Sequence, residues 1–246
     1  MDRKPDNSTR RVLSGPRRHL PHPARLAHRE RRFSNVKEDK KLLKRVTKAV
    51  DKRLSGKRLE HVHSVSECAA KLACIYGANE FDARIAGLLH DWDKLLTDDE
   101  LPARLDELGI ERPANIEYLY PVLHSFTGAA AVKREFPELS DDIISAIHKH
   151  TLGDFEMSDL DIIIFTADMI EPLRKTKGRP QIKRLRKMVG EASLDELYFE
   201  AYATTMVSLI ERKRFIDPVA LDIWNSLVER HHSIDKSRQG DPDVVL

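Results

Sequence analysis

The stretch Gly87-Leu88-Leu89-His90-Asp91-Trp92-Asp93-Lys94 sets a histidine beside a carboxylate at the end of an apolar helical segment, with a lysine three residues past the carboxylate. Adjacent side chains on a regular helix diverge by about 100°. Both reach one point only where the helix is ending or where the object between them is large, as a metal ion is. Neutral imidazole with carboxylate suits zinc, iron, manganese or nickel better than calcium or magnesium, which prefer all-oxygen shells. For an isolated His-Asp pair, hydrogen-bonded surface groups at a helix end are the commoner explanation. The balance shifts here because His61, His63, His124, His148 and His150 lie in neighbouring helical segments. Asp168 stands near the end of the most apolar segment of all, where an ionised carboxylate is costly unless paired or metal-bound.

Such groups need helices to position them, and the hydrophobic periodicity supplies them. Order is expected from about Val36, with Leu42, Leu43, Val46, Val50 and Leu54 at helical spacing and Ser55-Gly56 as the stop. Further helices are predicted over about 57–76, ended by Gly77, over about 81–90, and over about 99–108, ended by Gly109. Residues 111–121 read as a loop with Pro113 and Pro121 as breakers, followed by a helix over about 122–136. Ser140 and Ser158 are N-cap candidates for helices reaching about His150 and Ile170. The second is apolar nearly all round and is expected to be the buried central helix. A loop and helix over 175–187, a helix from Ser193 to about Lys213, and one opened by Asp217-Pro218 complete the domain; a polar, frayed tail is expected from His231. No alternating strand pattern occurs. The fold class is all-α, a single helical domain over 37–232, with a disordered basic extension over 1–36 and a polar tail over 233–246.

Composition narrows the function classes. A chain of 246 residues holds one sizeable domain, and 41% apolar residues is ordinary for a water-soluble protein. No run approaches the roughly 18 apolar residues of a membrane span, and no secretory signal is visible, so a cytoplasmic location is expected. Cys68 and Cys74 fit small buried residues in a reducing compartment. The net charge of +2 conceals a division: residues 1–36 carry ten Lys/Arg against three acids, which leaves the rest at −5. A mildly acidic domain does not read as a nucleic-acid binder. The basic extension is read as solubilising, with contact to RNA or another anionic surface as its minor alternative.

The order His61, His90-Asp91, Asp168 is the H…HD…D pattern of HD-domain metallohydrolases. Around it stand Arg58-Leu59-Glu60-His61, Leu88-Leu89-His90-Asp91 with Lys94, Leu123-His124 with Gly128, His150-Thr151 with Gly153, and Ala167-Asp168 with Ile170-Glu171-Pro172 and Arg174. Together these resemble the bacterial symmetrical bis(5′-nucleosyl)-tetraphosphatase family of HD proteins, over about Arg58 to Arg230. The resemblance implies two divalent ions, usually iron with manganese, nickel, cobalt or zinc as alternatives, and cleavage of diadenosine tetraphosphate to two ADP. It implies His61, His90 and Asp168 on one ion, His124 and His150 on the other, and Asp91 between them. Two ions about 3.5–4 Å apart generate a nucleophile near neutral pH and neutralise phosphoryl oxygens. Lys94, Arg58 and Arg174 are the cations left for the remaining phosphates. The partner implied is a small dinucleoside polyphosphate, with no membrane; a homodimer stays open.

Bland alternatives accompany these assignments. His63 reads as a surface group, His148 faces away from His150, His231-His232 reads as solvated, and Lys183, Arg184, Arg186 and Lys187 read as a solvated face. Glu171 is read about equally as orienting a ligand and as a helix-end charge. Two departures from the family pattern bear on substrate preference. Asp93 stands where the family has a small residue and is in a position to pair with Lys94, and the segment Leu152–Glu156 is acidic. Rival functions are an HD phosphohydrolase acting on nucleoside monophosphates or guanosine polyphosphates through one ion, and a non-enzymatic nucleotide-binding module tethered by the basic extension.

Overall fold

In the computed structural model, residues 36–239 are described, with side chains over 37–232. Among them are ten α-helices and no strand: α1 (Val36–Arg53), α2 (Gly56–Tyr76), α3 (Glu80–Leu89), α4 (Leu101–Leu108), α5 (Ile116–Glu135), α6 (Asp141–Lys149), α7 (Asp159–Ile170), α8 (Pro180–Met188), α9 (Leu194–Glu211) and α10 (Pro218–Gln239). The expectations for residues 1–35 and 240–246 lie outside the described residues. No described helix is long and apolar enough to cross a membrane.

Helix α7 is the central element. Its residues Ile162, Ile163, Ile164 and Phe165 are all buried, and α2, α3, α6, α8 and α9 pack around it. Each such side chain contributes about 1.5–3 kcal/mol of hydrophobic stabilisation. Ser158 caps its start with a full capping box, accepting from Asp161 N while the Asp161 carboxylate accepts from Ser158 N. Ser140 and Ser193 cap α6 and α9 as expected, and Asn79 caps α3 by accepting from Phe81 N and Asp82 N. Helices α2 and α3 approach closely at Gly87, where an added Cβ would stand 2.7 Å from Ser66 Cα.

Four expectations need correction. Pro121 does not break a helix; it lies inside α5, which begins at Ile116. An interior proline costs about 3 kcal/mol, and the offset is visible in Leu119 and Leu123, which bury against Leu101 and Leu105 of α4. Cys74 is exposed and Cys68 only partly buried; both are free thiols. His231 is half-buried and stacks on Phe199 with centroids 4.3 Å apart, while α10 continues through it to Gln239. Arg186 is not part of a solvated face. Its guanidinium donates to the carbonyls of Ile170 (2.9 Å), Glu171 (2.5 Å) and Arg174 (3.0 Å), holding the segment that follows α7.

Candidate metal centre

Helix α3 ends at Leu89, and the chain continues through three successive tight turns. Trp92 N donates to Leu89 O, Lys94 N to Asp91 O, and Leu96 N to Asp93 O, each at 3.0–3.1 Å. This unwinding lets His90 and Asp91 aim at one place. His61 arrives from α2, His124 from α5, His150 as C-cap of α6, and Asp168 from the last turn of α7. All four imidazoles and Asp91 are buried, and Asp168 is partly exposed. Two groups, His61/His90/Asp168 and His90/Asp91/His150, each bring three ligand atoms within 4.8 Å of one another.

Asp91 spans the cluster. Its Oδ2 lies 3.7 Å from His61 Nε2 and 3.4 Å from His90 Nε2, while Oδ1 lies 3.2 Å from His124 Nε2 and 3.9 Å from His150 Nε2. On the open side, His61 Nε2 stands 2.9 Å from Asp168 Oδ1, and His90 Nε2 stands 3.7 Å from it. Neither Nε2 atom is aligned for a hydrogen bond, so both are buried without a partner. Buried imidazole nitrogens without a partner, facing the two carboxylates Asp91 and Asp168, make a donor set that suits a divalent ion.

The remaining ring nitrogens explain why those Nε2 atoms are available. His90 Nδ1 donates to Gly87 O at 2.8 Å and His150 Nδ1 to Ile147 O at 2.7 Å. A carbonyl only accepts, so in the neutral rings the proton sits on Nδ1 and the lone pair of Nε2 faces the cluster. His61 Nδ1 meets Glu171 Oε1 at 3.1 Å. Glu171 is 2% exposed, and its Oε2 also accepts from Ser64 Oγ (2.6 Å) and Leu173 N (2.5 Å). It is therefore a buried carboxylate that orients His61 and not a surface charge. Its position three residues after Asp168, on the exit of an apolar helix, was the available signal. His124 differs: its Nδ1 faces Lys94 Nζ at 3.3 Å.

Electrostatics follow the geometry. Burial pushes the His150 imidazole down to about 3, helped by neighbouring His90 and His124. Burial also lowers His124, against Asp91. Burial opposes the charged form of His90 too, yet Asp91 beside it carries that group above its ordinary value. Asp91 and Asp168 resist the burial that would raise them. His90 and His124 hold Asp91, and His61, His90 and Arg174 hold Asp168, well below the usual carboxylate range.

The three cations named from sequence surround this centre. Arg58 pairs with Asp91 Oδ2, and Arg174 Nη2 reaches Asp168 Oδ1 at 2.6 Å. Lys94 Nζ donates to Pro121 O at 3.1 Å, and burial lowers its pKa. Asp93 does not pair with Lys94. It is buried on the far side of the turn, between Arg53 Nη2 (2.5 Å) and Arg104 Nε (3.0 Å), while Arg53 Nε holds Trp92 O at 2.6 Å. Of the acids after His150, Asp154 is directed elsewhere: its Oδ2 lies 3.5 Å from Lys149 Nζ, which also donates to the backbone carbonyl of Glu156 at 2.6 Å. His63 pairs with Asp51 at the surface, and His148 packs on Phe126. Neither joins the centre.

Comparison with known proteins gives a consistent picture. Residues 58–173 match the HD domain family. The symmetrical bis(5′-nucleosyl)-tetraphosphatase of Bacillus subtilis is 31% identical over 180 residues, 73% of this chain and 94% of that one. The protein of the same name from Halalkalibacterium halodurans is 30% identical over 71% of this chain and 91% of its own. A crystal structure of a predicted HD superfamily hydrolase involved in NAD metabolism from Clostridium acetobutylicum superposes with a TM-score of 0.69 at 31% identity, covering 76% of this chain and 97% of the other. The chain belongs to the symmetrical bis(5′-nucleosyl)-tetraphosphatase family of HD-domain proteins.

Proposed function

We propose that the chain hydrolyses dinucleoside tetraphosphates, diadenosine tetraphosphate among them, at the central phosphoanhydride to give two nucleoside diphosphates, with two divalent metal ions as cofactor. The observation that carries this reading is the division of Asp91, one oxygen toward His61 and His90 and the other toward His124 and His150. A one-ion phosphohydrolase has no use for the second pair of imidazoles. When bound, two divalent ions lower the pKa of a water and neutralise the oxygens of an in-line phosphoryl displacement. His61, His90 and Asp168 would hold one ion and His124 and His150 the other, with Asp91 shared. The residues fit: the imidazoles are buried, and His90 and His150 are fixed with Nε2 inward.

The protein's own part is positioning and charge. Arg58 and Arg174 lean on the ligand carboxylates with about a third of each side chain exposed, 32% and 36%, and are placed to exchange those carboxylates for phosphate oxygens. Lys94, three residues past Asp91 and free of Asp93, is placed to hold a phosphate that gains charge in the transition state. The names of the relatives support the tetraphosphate as substrate. The test is product analysis with metal-loaded protein and diadenosine tetraphosphate, with metal content measured alongside. ADP as sole nucleotide product with two ions per chain is expected. Equal ATP and AMP would refute the cleavage register, and one ion per chain would refute the paired centre.

A further inference from the structure

Tyr118 and Phe215 are large apolar side chains left in solvent, 56% and 39% exposed, yet they stack on each other with centroids 4.8 Å apart and planes 20° from parallel. They come from separate parts of the chain: Tyr118 from the first turn of α5, Phe215 from the segment joining α9 and α10. Helix α5 is the one that carries His124 into the metal centre. Six residues at 1.5 Å rise put Tyr118 about 9 Å outward from His124 along that axis. One turn inward of Tyr118, the Pro121 carbonyl holds Lys94 Nζ. Two turns inward on the side of α5 that Tyr118 occupies, Ser125 Oγ meets Thr151 Oγ1, beside His150, at 2.9 Å. Moving outward along α5, the order is ligating imidazole, ammonium, aromatic face. A bound nucleotide presents the same order: metal-proximal phosphate, outer phosphate, flat base.

We propose that Tyr118 and Phe215 form the base-stacking platform for one nucleoside of the substrate. The inference rests on the nucleotide reading of the metal centre given above and adds the subsite that holds the base. Stacking uses the π face that every base has, so the platform favours purines by ring area without fixing which purine.

The test titrates ADP and inorganic pyrophosphate into manganese-loaded full-length protein by calorimetry, for wild type, Tyr118→Ala, Phe215→Ala and Tyr118→Phe, with Ile75→Ala as a control on the remote surface of α2. Tyr118→Ala and Phe215→Ala are expected to weaken ADP about tenfold, or about 1.4 kcal/mol, with no matching loss for pyrophosphate. Tyr118→Phe keeps the ring and is expected to restore ADP binding. Unchanged ADP affinity in both alanine variants, or an equal loss for ADP and pyrophosphate, would overturn the platform. Diadenosine tetraphosphate hydrolysis is followed in parallel. Protein that binds ADP through the pair but leaves the tetraphosphate intact would refute the substrate reading while retaining the platform.

Discussion

Asp91 and Asp93 stand two residues apart in the same turn, and both carboxylates are withdrawn from solvent. Asp91 faces four imidazoles and Arg58, and two of the imidazole nitrogens around it, His61 Nε2 and His90 Nε2, lack a hydrogen bond. Asp93 faces Arg53 from the last turn of α1 and Arg104 of α4, with each oxygen taken by a guanidinium. Burial alone therefore does not distinguish a carboxylate set among candidate ligands from a structural one. The difference lies in whether the surrounding donors are satisfied. Arg53 also lies over the Trp92 ring at 4.7 Å, so α1, α4 and the turn are bound together on the Asp93 side while the Asp91 side is left unsatisfied.

The largest expected effect separates the two outright. Asp91→Ala removes the one carboxylate shared by both halves of the centre, and elemental analysis should find both metals gone and turnover abolished, with helical circular dichroism retained. Near-normal activity with metal bound would break the contrast. Lys94→Ala comes next: kcat should fall on the order of 10²–10³-fold with metal content unchanged, since an ammonium is no ligand. A loss below tenfold would mean that Lys94 does not touch the reacting phosphate.

Asp93→Ala should act on stability instead. Two arginines lose their buried partner, which costs about 3 kcal/mol, read from the urea midpoint, while the folded protein still takes up its metal. Metal loss without destabilisation would reverse the roles assigned to the two aspartates. The smallest effect is on pH. Burial pushes the His150 imidazole down to about 3 from its ordinary 6.5, so between those values the unfolded chain takes up a proton that the folded one refuses. Its contribution is whole above about 6.5 and is lost as pH falls toward 3; His124 acts the same way, and His90, raised, opposes them. Melting temperature of metal-free protein should therefore decline from about pH 7 to about pH 4.5, and added metal, which displaces protons from the folded chain, should steepen that decline. The guanidiniums around Asp93 stay charged throughout and contribute nothing to it. A melting temperature that rises on acidification would show that His90 dominates.

Much of this was legible from local signals. Ser140, Ser158 and Ser193 announce their helices because a cap is a bond between residues three apart. The histidines that join the centre were separable from His63 and His148 by helical direction and by the motif residues around them. What the sequence hid is tertiary. Arg53 and Asp93 are 40 residues apart, and Glu171 and His61 are 110 apart, so no spacing rule connects them. Pro121 misled because its local cost is real and its compensation, Leu119 and Leu123 against α4, lies on another element. Arg186 was hidden in a basic run whose members look alike until one turns inward.

The contact at Gly87 fixes the spacing of two imidazoles. His61 lies five residues before Ser66 on α2, and His90 lies three residues after Gly87, whose carbonyl accepts a hydrogen bond from its Nδ1. The bite between these two imidazoles, with ring centroids 5.4 Å apart, is thus set by main chain resting on main chain. Side chains compress and change rotamer; abutting backbones do not. Like the opening of a stiff macrocycle, this pair would sort ions by radius in the paired centre proposed above, and tuning toward a different metal would fall to His124 and His150.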